Sequence, residues 1–122
     1  MRPSPGRRYL WHSFADGLRG LAWALRTQWH LWLHLLVTAA AVAIGRWLRF
    51  SAVEWALLVL SIAAVFAAEL ANTALEVALD CLHLQPDPLI GRAKDIAAGS
   101  VVVTIAAALL VAALLVAAHL PP

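Results

Sequence analysis

The sequence predicts an all-α membrane protein, with an amino-terminal amphipathic helix in the membrane interface followed by three membrane-spanning helices. Composition is the first reason. Of 122 residues, 63% are hydrophobic and only 13% charged, with a mean hydropathy of +0.81. A soluble domain carries about twice that charged fraction. The second reason is three apolar runs, each near the roughly 20 residues that cross a bilayer. The third is a helical alternation ahead of them, with apolar and polar residues on opposite faces.

Residues 1–8 read as a basic, disordered tail, because Pro3, Pro5 and Gly6 disfavour helix initiation. From Tyr9 to about Arg26, Leu10, Trp11, Phe14, Leu18, Leu21 and Leu25 share one face, opposite His12, Asp16, Arg19 and Arg26. Aromatics on the apolar side and arginines on the other describe a helix lying in the interface. The spans are expected at about 29–47, 52–79 and 96–120, the first only marginally long enough. Arg46-Trp47-Leu48-Arg49 closes the first and leaves a very short turn. Pro86, Asp87, Pro88 and Gly91 occupy a longer loop before the third, and residues 9–120 form one domain.

The basic residues set an expected orientation. Arg2, Arg7, Arg8, Arg19 and Arg26 precede the first span, against Arg46 and Arg49 beyond it, so the amino terminus is expected in the cytoplasm. The 80–95 loop then shares that side. A cleaved signal peptide is not expected, since the basic start leads into an amphipathic segment. All six tryptophans fall within the first 55 residues, most near the predicted membrane surfaces, where the ring anchors a helix.

The net charge of +2, without aromatic–basic alternation, speaks against nucleic acid. Cys81 is the sole cysteine, so no intrachain disulfide can form, and it reads as inert packing. No Walker A, G-x-G-x-x-G or H-E-x-x-H sequence is present. His30 and His34, four residues apart, offer a possible metal pair, but packing is the plainer reading without a neighbouring acid.

Chemistry concentrates in Glu69-Leu-Ala-Asn72-Thr73-Ala-Leu-Glu76-Val-Ala-Leu-Asp80. A helix places Glu69, Asn72, Glu76 and Asp80 within an arc of about 80°. Ionisable groups on a membrane helix are costly, so a one-sided row of them marks a functional site. Glu69 lies about 16 Å deeper than Asp80, and a buried carboxylate there suits a general base. Glu76 suits a hard cation such as Mg²⁺, and Asn72 can orient either acid. Lys94 and Asp95 add a phosphate-binding cation and another acid. Together these make a phosphoryl-transfer set, although polar stripes also line proton paths or hold helices together.

At these residues the chain resembles the small prokaryotic diacylglycerol kinase/undecaprenol kinase family. The resemblance rests on Glu69-x-x-Asn72-Thr73-Ala-Leu-Glu76-x-x-x-Asp80 and Ala93-Lys94-Asp95-Ile-Ala-Ala-Gly99. Ser13-Phe14, Arg19-Gly20-Leu21 and His34 also fit, and the likeness covers residues 10–118. It implies a homotrimeric lipid kinase of the bacterial cytoplasmic (inner) membrane, with ATP as donor, Mg²⁺ as cofactor and the active site on the cytoplasmic side. By resemblance, Glu69 is the catalytic base and also meets the lipid, Glu76 holds the metal and nucleotide, and Lys94 and Asp95 contact ATP. Asn72 and Asp80 support the site, and Ala98 contacts the lipid, one helical turn from Lys94.

Diacylglycerol, giving phosphatidic acid, is the first expectation for substrate, with undecaprenol as the alternative. Gly91-Arg92-Ala93-Lys94-Asp95 looks like the diacylglycerol enzymes, whereas Asn72-Thr73-Ala and Lys94-Asp95-Ile-Ala-Ala-Gly99 look closer to the undecaprenol enzymes. A more distant reading is a non-enzymatic helical assembly that conducts protons or ions. The lysine beside the membrane favours the kinase, because a conduction path has no need of it.

One position departs from the family pattern. The usual Glu-Arg-Asn at the start of the first span is Gln28-Trp29-His30 here, so the expected second metal and nucleotide ligand is neutral. Gln28 offers a carbonyl oxygen but removes one negative charge. Gln28→Glu is therefore expected to lower the Mg²⁺ concentration giving half-maximal activity by about tenfold. A titration of activity against Mg²⁺ checks this, and an unchanged curve would remove the idea.

Overall fold

The described residues, 7–121 of a computed structural model, form four helices and no strand. They are α1 (Arg7–Thr27), α2 (Trp29–Trp47), α3 (Ala52–Leu82) and α4 (Pro88–Ala117). The expected tail lies outside the described residues as far as residue 6, whereas Arg7 and Arg8 already belong to α1.

On α1, Trp11, Phe14, Leu18 and Leu21 are exposed. No other helix covers this apolar face, as befits a helix whose apolar side enters the membrane interface. Asp16 and Arg19 pair one turn apart on its exposed surface. The axis then turns by 98° into α2. Gln28 makes the bend by leaving helical geometry, with φ −109° and ψ 101°. The carbonyls at the end of α1 lose their intrahelical partners there, and local donors replace some of them. The Gln28 N–H reaches the Ala24 carbonyl at 2.8 Å, and the Trp32 indole N–H crosses the bend to the Leu25 carbonyl at 2.8 Å. Ala24 and Leu31, on either side of the bend, are buried.

α3 and α4 are each long and apolar enough to cross a membrane. The shorter α2 meets that measure only together with α1, in keeping with the marginal first span. Between α2 and α3 the chain reverses within four residues. The Arg49 N–H donates to the Arg46 carbonyl and the Phe50 N–H to the Gly45 carbonyl. This pairing ends a helix through a left-handed residue, here Arg49 at φ 58°. Ser51 then starts α3 with a capping box. Its backbone N–H donates to Glu54 Oε2 at 2.7 Å, and its hydroxyl accepts from the Glu54 N–H at 3.4 Å.

Phe50, Leu58 and Leu115 form the core at this end, with Trp55 and Ile62 against them. The ring of His119 lies against Phe50, and its Nδ1 is 3.6 Å from Glu54 Oε1. At the opposite end, α3 continues to Leu82 and α4 starts at Pro88, so the connecting loop is only residues 83–87. The reason is local. The Asp87 carboxylate accepts from the Leu89 N–H at 2.7 Å, and Pro88 occupies the first turn without wasting a donor.

α4 therefore begins eight residues before Ile96, where the apolar run starts, and ends at Ala117. Lys94 and Asp95 ride on its second turn instead of opening the helix. Hydropathy marks where a chain turns apolar, whereas caps mark where a helix starts. Cys81, expected as packing, is exposed in the last turn of α3. α3 and α4 pack along most of their length, and α2 meets α3 more sparsely.

The close approach at the α2–α3 turn gives a direct stability prediction. A Cβ on Gly45 would stand 2.9 Å from the Phe50 ring and 3.1 Å from Trp55. Gly45→Ala should therefore cost about 1–3 kcal/mol by overpacking, read as a lower unfolding temperature in detergent. An unchanged temperature would show that the Phe50 ring yields freely.

Candidate active site

The polar stripe of α3 keeps its one-sided character, and exposure rises along it. Glu69 and Asn72 are buried, Glu76 is half-buried and Asp80 is exposed. The helix thus carries its acids from the interior of the bundle to the end that bears the 83–87 loop. A carboxylate with only 6% of its surface exposed needs partners, since burying an unpaired charge is expensive.

For Glu69 the partners come from α2. His34 Nε2 lies 2.7 Å from Oε1, and His30 Nε2 lies 3.5 Å from Oε2. With the glutamate ionised, the His34 N–H is the donor in a charge-assisted bond. The histidine pair therefore does have a neighbouring acid, which sequence reasoning missed. A usable signal was present, because antiparallel helices joined by a short turn bring residues equidistant from it side by side. His34 accordingly meets Phe66, with ring centroids 6.2 Å apart, and Glu69 follows one turn later on the same face.

One turn along α3, the Asn72 amide donates to Glu76 Oε1 at 3.0 Å. Its own Oδ1 is buried and has no hydrogen-bond partner among the described residues. Lys94 reaches across from α4 to the Asp80 carboxylate. Ala98 lies one turn beyond Lys94 and lines a cleft of about 200 Å³ with His30, Glu69, Asn72 and Val101. Nearer the loop, Asp80, His83, Asp87 and Lys94 line a larger cleft. On the other side, His34 heads an apolar groove of about 100 Å³ between α2, α3 and α4.

The fold thus gathers Glu69, Asn72, Ala98 and His30 around one cleft, and Asp80 and Lys94 around the next. Glu76 joins the first group through Asn72. Asp95 is exposed beside Lys94. Gln28 sits at the bend as the residue capping α2, where its side chain makes no capping hydrogen bond. Among the described residues no group of three or more His, Cys, Asp or Glu side chains is placed to hold a metal ion. The arrangement offers a buried carboxylate, a small opening beside it, and a cation at the more exposed end. These are the parts of a transfer reaction between an apolar and a water-soluble reactant.

The family model described as prokaryotic diacylglycerol kinase matches residues 15–116. The chain belongs to that family. Undecaprenol kinase of Bacillus subtilis (strain 168) is 35% identical to it over 91 residues, covering 75% of this chain and 74% of the relative. The protein is a membrane-embedded, ATP-dependent lipid kinase. All of the stripe and its α4 counterpart lie within the matched residues.

The size of the cleft beside Glu69 carries a prediction. Ala98→Phe should fill much of its roughly 200 Å³ and lower kcat/KM for the lipid by about 100-fold. The KM for ATP should stay within about twofold of wild type, because Lys94 and Asp80 line a separate cleft. Steady-state kinetics with each substrate varied in turn checks this. An equal loss toward both substrates would contradict the separation of the two clefts.

Proposed function

We propose that Glu69 is the base that takes the proton from a lipid hydroxyl, and that this hydroxyl attacks the γ-phosphate of ATP held at Glu76, Lys94 and Asp95. The observation that carries the reading is the buried Glu69 carboxylate, open to a small cleft and flanked by the small side chain of Ala98. The lipid would approach from the apolar side with its hydroxyl in that cleft. ATP would lie toward the loop, its phosphates beside the Lys94 ammonium. Asp80 pairs with Lys94 and aims it, and Asn72 orients Glu76 through its amide. As the new oxygen–phosphorus bond forms, the bond from the γ-phosphorus to the β–γ bridging oxygen breaks, and the proton passes to Glu69.

The family activity implies a divalent cation, and the donors present fit one. The Glu76 carboxylate and the unpartnered Oδ1 of Asn72 are hard oxygens next to each other, the type that Mg²⁺ selects. Mg²⁺ is bound through one or two carboxylates together with substrate phosphates, so a larger cluster of acids is not required. Glu76 would hold it with Asn72, and Gln28 could add a neutral carbonyl. Bound there, the ion would neutralise charge on the phosphates.

For the lipid, undecaprenol is the first reading. It is supported by the name of the Bacillus relative and by Asn72-Thr73-Ala and Lys94-Asp95-Ile-Ala-Ala-Gly99. Diacylglycerol is kept as the second reading on the description of the family and on Gly91-Arg92-Ala93-Lys94-Asp95. Residues 9–120 would act as one kinase domain, with the loop end in the cytoplasm of a bacterial inner membrane. The family resemblance implies a homotrimer, and the sparse packing of α2 on α3 leaves apolar helix faces for another copy.

The test is phosphorylation of undecaprenol and diacylglycerol, side by side in micelles with Mg·ATP. Wild type should convert undecaprenol at least about tenfold faster by kcat/KM. Glu69→Gln should lower kcat by about 1,000-fold, the scale of a lost general base. Equal rates for Glu69→Gln and wild type would eliminate the base assignment. A preference for diacylglycerol would exchange the two lipid readings.

A further inference from the structure

The two oxygens of Glu69 have different neighbours. Oε1 is 2.7 Å from His34 Nε2, on the side of the apolar groove that His34 heads. Oε2 is 3.5 Å from His30, which lines the cleft with Asn72, Ala98 and Val101. One oxygen is bound, and the other lies on the side of His30, a residue that lines the cleft. The His34 ring is itself confined, with Phe66 edge-on at 6.2 Å and the walls of the groove around it.

We propose that His34 is the positioning residue for Glu69: by donating its Nε2–H to Oε1 it fixes the carboxylate so that Oε2 faces the lipid hydroxyl. The inference deepens the kinase reading above and rests on it. A glutamate side chain has several rotatable bonds and no intrinsic preference for which oxygen it presents. A base must stand within hydrogen-bond reach of the proton it takes, and a displacement of about 1 Å can cost about 100-fold in rate. A charge-assisted bond from a ring held by packing meets that need, because it is directional and short. In the step itself the lipid O–H proton moves to Oε2. The hydroxyl oxygen bonds to the γ-phosphorus, and the β–γ bridging oxygen leaves with its electron pair on ADP. His34 keeps its proton throughout and acts only through Glu69.

His30 takes a different part. At 3.5 Å from Oε2 it stands beyond a normal hydrogen bond, so Oε2 is left available at the mouth of the cleft. The two histidines share a face of α2 one turn apart, and only His34 is close enough to hold the acid.

The experiment uses the full chain in detergent micelles, with Mg·ATP and the lipid that wild type phosphorylates. Histidine Nε2 is best matched by the amide nitrogen of glutamine, whereas asparagine is one methylene too short. His34→Ala should lower kcat by about 10- to 100-fold with the KM for ATP unchanged. His34→Gln should recover activity to within about fivefold of wild type, and His34→Asn should not. Because His34 works through Glu69, adding His34→Ala to Glu69→Gln should leave the residual rate unchanged.

Three results would each overturn the proposal: a His34→Ala kcat within about twofold of wild type, equal activity of the glutamine and asparagine variants, or a full further loss in the double variant. If His34→Ala does not fold, the glutamine–asparagine comparison decides alone. Wild type without lipid phosphorylation would instead remove the kinase reading on which this inference stands.

Discussion

The structure depends on one constraint: an acid placed deep in an apolar bundle must be met by polar groups from another helix. Glu69 is that acid, and His34 and His30 on α2 meet it. Unpaired, a charge at that depth would be neutralised or would pull the helix toward water. Paired, it ties α2 to α3, two helices that pack on each other only sparsely. The same bond that makes Glu69 tolerable also determines where its oxygens point.

The rest of the fold serves that meeting. The 98° bend at Gln28 separates a helix whose apolar face is bare from one that enters the bundle. The indole of Trp32 and the backbone of Gln28 satisfy carbonyls that the bend releases. At the far end, the left-handed Arg49 and the capping box of Ser51 reverse the chain within four residues. A turn that short sets the register of α2 against α3, and register decides that residue 34 faces residues 66 and 69. α4, started early by Asp87 and Pro88, lays Lys94 and Ala98 along the same stripe, one toward Asp80 and the other toward Glu69.

Much of the site was legible because its residues share single helices. Glu69, Asn72, Glu76 and Asp80 follow helical spacing, and their exposure rises along the helix toward the 83–87 loop. Lys94 and Ala98 were likewise readable as one turn apart. The start of α4 was not, since hydropathy over 88–95 is broken by Arg92, Lys94 and Asp95 while the helix runs through them. His30 and His34 were seen as a pair but not as partners of an acid, because that acid lies 35 residues away from His34.

By itself the sequence determined that this is a helical membrane protein, which residues form the polar stripe, and to which family of lipid kinases the chain is similar. These follow from composition and from the 3.6-residue period, properties of one segment at a time. Only the tertiary structure decided that His34 holds the buried glutamate with His30 beside it, that Lys94 pairs with Asp80, and that Ala98 lines a cleft next to Glu69. Those are contacts between helices, set by the bend at Gln28, the turn at Arg49 and the cap at Asp87. No periodicity within one segment encodes how it lies against another.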